Sequence, residues 1–199
     1  LTMAISQLLE SVRRQNELYA YAKKIDMLYV TDPLTSLYNR RGFFRTYNDY
    51  AEGGVKDDCM VISVDLDNLK LINDNFGHNE GDNAILTMAN ALKSAADEND
   101  ICARFGGDEY VVFGKGKGEY EMTAYIDKVN EYLDKYNLSS NKPYNVHGSF
   151  GGCIMPKGTK MHIDYYINAA DSKMYVNKET HKRTRMLYSY NKDDRESEK

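Results

Sequence analysis

Two acidic pairs have residue types and positions that could do chemistry together. Asp65 and Asp67 close an apolar run that begins at Cys59, and Asp108 and Glu109 follow Gly106-Gly107 between two further apolar runs, Ile101 to Phe105 and Tyr110 to Phe113. If those strands are neighbours, the carboxylates converge. Converging carboxylates repel one another and lose hydration, a cost best offset by a divalent cation, and all-oxygen donors favour Mg²⁺ or Mn²⁺. Magnesium keeps one or two protein carboxylates and fills its shell with phosphates and water, so a nucleoside triphosphate is the natural partner. Taken singly, Asp65-Leu66-Asp67 reads as a strand-ending turn with solvated acids and Gly106-Gly107 as an ordinary hairpin; only the two clusters together carry the metal reading.

The stretch between the clusters, Lys70 to Asp82, is polar, punctuated by Gly77 and Gly81, and reads as a ligand-binding loop. Lys70 could place a charge on phosphate. Asn73 and Asp82 together offer donor and acceptor groups suited to a guanine edge, although each alone reads better as the cap of a turn or of the helix expected over 82–95. His78 has no Cys or His neighbour to complete a zinc set and reads as a hydrogen-bonding loop residue. No lysine follows a glycine-rich loop in the P-loop pattern, which excludes that kind of nucleotide site.

These residues need elements to hold them. Cys59 to Val64 is β-branched enough for a buried strand, and the spacing around Gly106-Gly107-Asp108-Glu109 predicts a tight hairpin with its acids at the tip. Helices are expected over 119–136 and 163–178, and strands over 145–154 and 185–190. Asp32-Pro33 breaks the upstream helix, with Asp32 capping a new helix that begins near Pro33. Upstream, residues 1–29 contain no Gly or Pro and place Ile5, Leu8, Val12, Leu18, Ala22, Ile25 and Tyr29 along one helical stripe. That stripe suits packing on the domain or pairing with a second copy as a short coiled coil. The resulting division is a linker helix over 1–31, one domain over 32–190 and a charged, fraying tail over 191–199.

Bulk properties bound the function. A chain of 199 residues suits one core plus an extra helix. A hydrophobic fraction of 42% and a charged fraction of 28% mark a globular protein, and a net charge of -4 provides no field for a nucleic-acid backbone. Cys59, Cys102 and Cys153 lie in apolar runs and read as reduced core residues of a cytoplasmic protein. No apolar stretch of about 18 residues is present to span a membrane. The first residue is Leu1, and a longer protein is expected, with an upstream sensor or membrane tether.

The blocks Asp32-Pro33-Leu34-Thr35-Ser36-Leu37-Tyr38-Asn39-Arg40-Arg41, Asp65 to Asp82, Arg104-Phe105-Gly106-Gly107-Asp108-Glu109-Tyr110, Ser149-Phe150-Gly151, and Ala170-Asp171 through Lys178 together resemble the GGDEF family of diguanylate cyclase domains. The resemblance implies an α/β (α+β) fold, with a mixed, largely antiparallel sheet flanked by helices, like nucleotide cyclases and the polymerase palm. It implies condensation of two GTP into cyclic di-GMP and two pyrophosphates at a homodimer interface, in bacterial second-messenger signalling. By the same resemblance Asp65, the Leu66 carbonyl and Asp108 hold Mg²⁺ or Mn²⁺. Glu109 sits beside them, Asp108 is the candidate base, and Lys70 stabilises charge on the phosphates. Asn73, His78, Asp82, Gly106 and Gly107 meet the nucleotide, and Lys178 and Lys182 reach its terminal phosphates.

Several positions depart from the family pattern. Tyr110 stands where Phe is usual, Asn68-Leu69 where a Phe pair is usual, and His181-Lys182 in the usual Gly-Arg place, where a point charge replaces a guanidinium fork. Asp97-Glu98-Asn99-Asp100 occupies the place of the family's product-inhibition Arg-x-x-Asp, and an acid in place of that arginine is expected to repel the product. The competing readings are a non-enzymatic GTP- or cyclic-di-GMP-binding module, a cyclase of relaxed base choice, and a dimerising adaptor resting on the N-terminal helix. Asp65, Asp108 and Glu109 argue against the first and last, and Asp82 against the second.

Overall fold

The computed structural model describes residues 10, 12–19, 21 and 29–196, with side chains as far as residue 179. Residues 12–19 are helical and exposed, and most of the expected N-terminal stripe lies outside the described residues. The chain then runs β1 (Tyr38–Asn39), α1 (Arg40–Ala51), β2 (Cys59–Leu66), α2 (Leu69–Phe76), α3 (His78–Ala95), β3 (Asp100–Gly106), β4 (Glu109–Lys115), α4 (Glu119–Ser139), β5 (Gly148–Met155) and α5 (Ile163–Glu196). The strands form one sheet in the order β1-β3-β4-β2-β5, parallel between β1 and β3 and antiparallel elsewhere. This is the mixed, largely antiparallel sheet flanked by helices that the sequence predicts.

β2 is buried along its length apart from the half-buried Asp65, because helices cover both faces of the sheet. The two-residue period of a strand splits its side chains between two cores. Met60, Ile62, Val64 and Leu66 join Ile85, Met88 and Leu92 of α3 and Val129 and Leu133 of α4. Cys59 and Val61 join Phe43 and Tyr47 of α1 and Ile163, Ile167 and Ala170 of α5. The same period puts Asp65 on the α5 face and Leu66 on the opposite one. Cys59 and Cys102 are free and buried, and Cys153 is free and half-buried.

Helix α5 settles directly on the sheet because small residues lie beneath it. A methyl group on Gly151 would overlap the Ala170 carbonyl and the Met174 backbone, and Ser63, its register partner on β2, donates to the Ile167 carbonyl at 3.5 Å. Lys173 and Asn177 donate to the Gly152 and Phe150 carbonyls at 2.9 and 3.0 Å, satisfying groups on the edge strand β5.

Three expectations are corrected. No helix begins at Pro33: Asp32 closes a turn, and α1 starts at Arg40, where the Asn39 side chain accepts from the Gly42 amide at 2.9 Å. The expected loop over Lys70 to Asp82 is two helices meeting at Gly77, whose φ of 88° only glycine adopts readily. The expected strand over 185–190 is a continuation of α5, which carries no Gly or Pro to stop it. Among the described residues no helix is long and apolar enough to cross a membrane.

Candidate functional site

Three adjacent strands put a row of polar groups on one face. Asp65 on β2 pairs in register with Glu109 on β4 and with Ser149 on β5. Alternation along each strand turns all three toward α5. Lys178, one turn beyond the Gly151 contact point, reaches Asp65 Oδ1 with its ammonium at 2.5 Å. Asp67 is held apart from this pair: Ser149 Oγ donates to its Oδ1 at 2.8 Å, and its amide donates to the His147 carbonyl at 3.0 Å.

Asp108 comes to the row from the hairpin tip. Gly107 turns there with φ of 44°, and the Asp108 carbonyl accepts the Leu66 amide at 2.9 Å, fastening the tip to the end of β2. Arg104 braces the turn from below, donating to the Gly107 carbonyl through Nε and Nη2 at 3.0 and 2.8 Å. Its Nη1 meets both carboxylate oxygens of Asp32 at 3.2 and 3.3 Å. Asp32 Oδ1 in turn accepts from the amide and hydroxyl of Thr35 at 2.8 and 2.7 Å. Burial works against the Asp32 charge, but the Thr35 and Arg104 hydrogen bonds outweigh it and lower its pKa. The Asp-Pro-Leu-Thr turn is therefore a buttress for the hairpin, a role that its spacing alone did not reveal.

The carboxylates of the row behave in the opposite sense. Burial pushes the Asp65 pKa up, and Asp108 and Asp67 push it further, so that Lys178 offsets the rise only in part. Glu109 is raised first by burial and then by Asp108, Asp171 and Asp65, against Arg40. Burial disfavours the Lys178 ammonium, yet Asp65, Asp67 and Asp108 overcome that and raise its pKa. Among the described residues, the cluster holds more negative charge than Lys178 neutralises, the condition under which a divalent cation binds most favourably. Among the described residues no group of three or more His, Cys, Asp or Glu is arranged to hold a metal unaided. A pair of carboxylates with a backbone carbonyl instead fits a magnesium-like ion that draws its remaining ligands from phosphate and water.

The structure thus brings together Asp65, Asp108, Glu109 and Lys178. Lys70, His78 and Asp82 are exposed and make no side-chain hydrogen bond or ion pair among the described residues. Asn73 is half-buried against α3, where a methyl group on Gly81 would overlap its side chain. Gly106 ends β3 and Gly107 opens the hairpin turn, and both are exposed. Lys182 lies beyond the described side chains. Asn68 takes the left-handed φ of 59°, which asparagine tolerates better than the aromatic usual there. Tyr110 is buried, and its hydroxyl donates to the Ile85 carbonyl at 3.0 Å, so this departure from phenylalanine adds a tie between β4 and α3. Residues that the sequence reading passed over as site supports are Asp32, Arg104, Ser149 and Gly151. Their presence in the family-like blocks was the one available signal.

A family model described as "Diguanylate cyclase, GGDEF domain" matches residues 29–184. The diguanylate cyclase DgcP of Escherichia coli (strain K12) is 30% identical over 158 residues, covering 77% of this chain and 46% of that protein. The probable diguanylate cyclase DgcC of the same strain is 29% identical over 170 residues, 83% of this chain and 45% of that protein. The chain spans about half the length of these curated relatives. Among solved structures, the coiled coil and GGDEF domain of DgcB from Caulobacter crescentus, in complex with c-di-GMP, aligns with a TM-score of 0.75 at 21% identity. The alignment covers 88% of this chain and 94% of that one, and at this identity it establishes the fold.

Proposed function

The chain belongs to the GGDEF domain family, and we propose that it is an active diguanylate cyclase, condensing two GTP into cyclic di-GMP and two pyrophosphates. The observation that carries this reading is the acidic row at the ends of β2 and β4, whose Asp65 and Glu109 are raised by burial and mutual repulsion. The Asp97–Lys117 ion pair elsewhere in the molecule shifts its carboxylate the other way, downward.

In this reading Asp65, the Leu66 carbonyl and Asp108 hold Mg²⁺ or Mn²⁺, with Glu109 beside them. The bound ion supplies charge neutralisation on the transferring phosphoryl group and the leaving pyrophosphate. Asn73 and Asp82 take the guanine edge, the carboxylate accepting from the ring N–H and the exocyclic amine, and His78 contacts the same nucleotide. Gly106 and Gly107 let the phosphates approach the backbone, and Lys70 and Lys182 add positive charge around them. Lys178 exchanges Asp65 for the terminal phosphates when the nucleotide arrives.

Each protomer supplies one GTP, and two protomers meet so that each 3′-hydroxyl faces the other's α-phosphate. Asp108 takes the hydroxyl proton, the oxygen bonds to the α-phosphorus, and the bond to the β-phosphate breaks, releasing pyrophosphate. The second, symmetrical transfer closes the ring. The domain belongs in the cytoplasm, where GTP is, governed by a sensor joined to the N-terminal helix.

The test is to incubate the protein with GTP and Mg²⁺ or Mn²⁺ over a range of protein concentrations and identify products by mass. The reading predicts cyclic di-GMP with a specific rate that rises with protein concentration, as a reaction between two protomers requires. GTP bound but unchanged at every concentration would make the chain a nucleotide-binding module.

A further inference from the structure

Helices α2 and α3 meet at Gly77, and the two residues assigned to the guanine edge stand on either side of that corner. Asn73 lies on α2, four residues before Gly77, and its side chain presses on Gly81 of α3, next to Asp82. Neither helix has a side-chain N-cap, so local capping does not fix how they meet.

Instead the corner is gripped from outside by the segment between α4 and β5. The Lys142 ammonium contacts both carboxylate oxygens of Glu80 at 2.9 and 2.8 Å. The Tyr144 hydroxyl donates to Glu80 Oε2 at 2.6 Å and lies 3.2 Å from the Glu80 carbonyl. The Tyr144 ring leans on Phe76, the last residue of α2, with centroids 5.5 Å apart and planes tilted by 34°. One segment therefore holds both helices across the glycine. Its own position is fixed, since Asn137 of α4 exchanges two hydrogen bonds with the backbone of the buried Val146 at 2.9 and 2.8 Å.

What lies beside the grip is open rather than packed. A groove of about 430 Å³ runs between the two parts, lined by Asn68, Leu71, Phe76, Pro143 and His147 among others. The buried Ile72 and the Asn73–Gly81 contact hold the inner side of the corner, so on the outer side, beside the groove, the Glu80 contacts set the angle.

We propose that Glu80 is a positioning residue: through Lys142 and Tyr144 it fixes the α2–α3 corner, and with it the spacing of Asn73 and Asp82 that receives the guanine base. The inference rests on the nucleotide reading of those two residues. Glu80 itself touches neither substrate nor ion, so its loss acts on nucleotide affinity and leaves the acidic row intact.

The experiment compares Glu80→Gln and Tyr144→Phe with the unmodified chain. Tyr144→Phe keeps the ring on Phe76 and removes only the hydroxyl. Each substitution is expected to raise KM for GTP about 3- to 10-fold, the net size of one ordinary hydrogen bond, with kcat within about twofold. Exchanging the charges in Glu80→Lys with Lys142→Glu is expected to bring KM back within about twofold of the unmodified value. A lowered melting temperature with KM unchanged, or an equal loss in kcat and kcat/KM, overturns the proposal. If the unmodified chain binds GTP without turning it over, the cyclase reading fails; the corner is then read through the dissociation constant for GTP with Mg²⁺, where the same fold-changes decide. If it binds no GTP, both fail.

Discussion

At the tip of the β3–β4 hairpin, Asp108 and Glu109 crowd Asp65, and the pKa values of Asp65 and Glu109 rise. At its open end, Asp97 and Asp100 share Lys117, at 2.8 and 2.6 Å, and the Asp97 pKa falls, chiefly through the Lys117 hydrogen bond. Carboxylates are thus used in opposite ways at the two ends of one hairpin. The open end is settled internally: Asp100 has no exposed side-chain surface and Lys117 is its fixed counter-ion. Among the described residues, the tip keeps an excess of negative charge that Lys178 does not cancel. Acid content therefore does not distinguish a site from a structural pair; the balance of partners does.

Breaking each end separately sharpens that contrast. The largest effect is expected at the tip. If the proposed cyclase reading holds, Asp108→Ala lowers cyclic di-GMP formation about 10³-fold or more, because the proposed ion ligand and candidate base go together, while far-UV circular dichroism and chain assembly remain as before.

At the open end the loss falls on stability. Lys117→Met leaves Asp100 as a buried charge without its counter-ion, with Oδ1 already lacking a hydrogen-bond partner. A cost of about 3 kcal/mol is expected, read as a melting temperature lower by about 6–12 °C, with turnover per folded protein retained. Equal effects of the two substitutions on turnover would erase the distinction between the ends.

A smaller, opposite effect on stability belongs to the tip. A carboxyl group raised on folding contributes stability below its ordinary value of about 4, and that contribution is lost as pH rises through the folded value. Glu109→Gln removes this penalty, so at pH 7 the variant should melt higher by about 2 °C, the gain kept small by solvent screening, and the gap should close toward pH 4. For Asp97 and Asp32, lowered on folding, stability is present above pH about 4 and is lost as pH falls below it. The smallest effect is expected from the product: with Asp97 where the family's inhibitory site has arginine, added cyclic di-GMP should leave the initial rate within about twofold, measured by pyrophosphate release.

The hairpin and its acids were legible in the sequence because each signal is local. Glycines and carboxylates sit between two short apolar runs, and β2 is an unbroken apolar segment of strand length. The corner at Gly77 was not legible. Residues 69–76 form only two turns, start from a left-handed Asn68 and hold through the buried Ile72 rather than through caps or propensity. Gly81, which resembles loop punctuation, is helical because Asn73 needs the space that a side chain would fill. Glu80 and Tyr144 lie 64 positions apart, and no periodicity connects them. Lys178 was placed by resemblance to the family, while its reach to Asp65 depends on the close seating of α5 over Gly151.

The central claim is that the tip of the hairpin is left short of positive charge so that a divalent ion and GTP bind there together. Titration calorimetry of GTP with and without Mg²⁺, on the unmodified chain and on Asp108→Asn, tests it most directly. The account predicts GTP binding that depends on Mg²⁺ in the unmodified chain and weakens at least about tenfold in the variant. Equal affinity with and without the ion, or equal affinity in both chains, would contradict it.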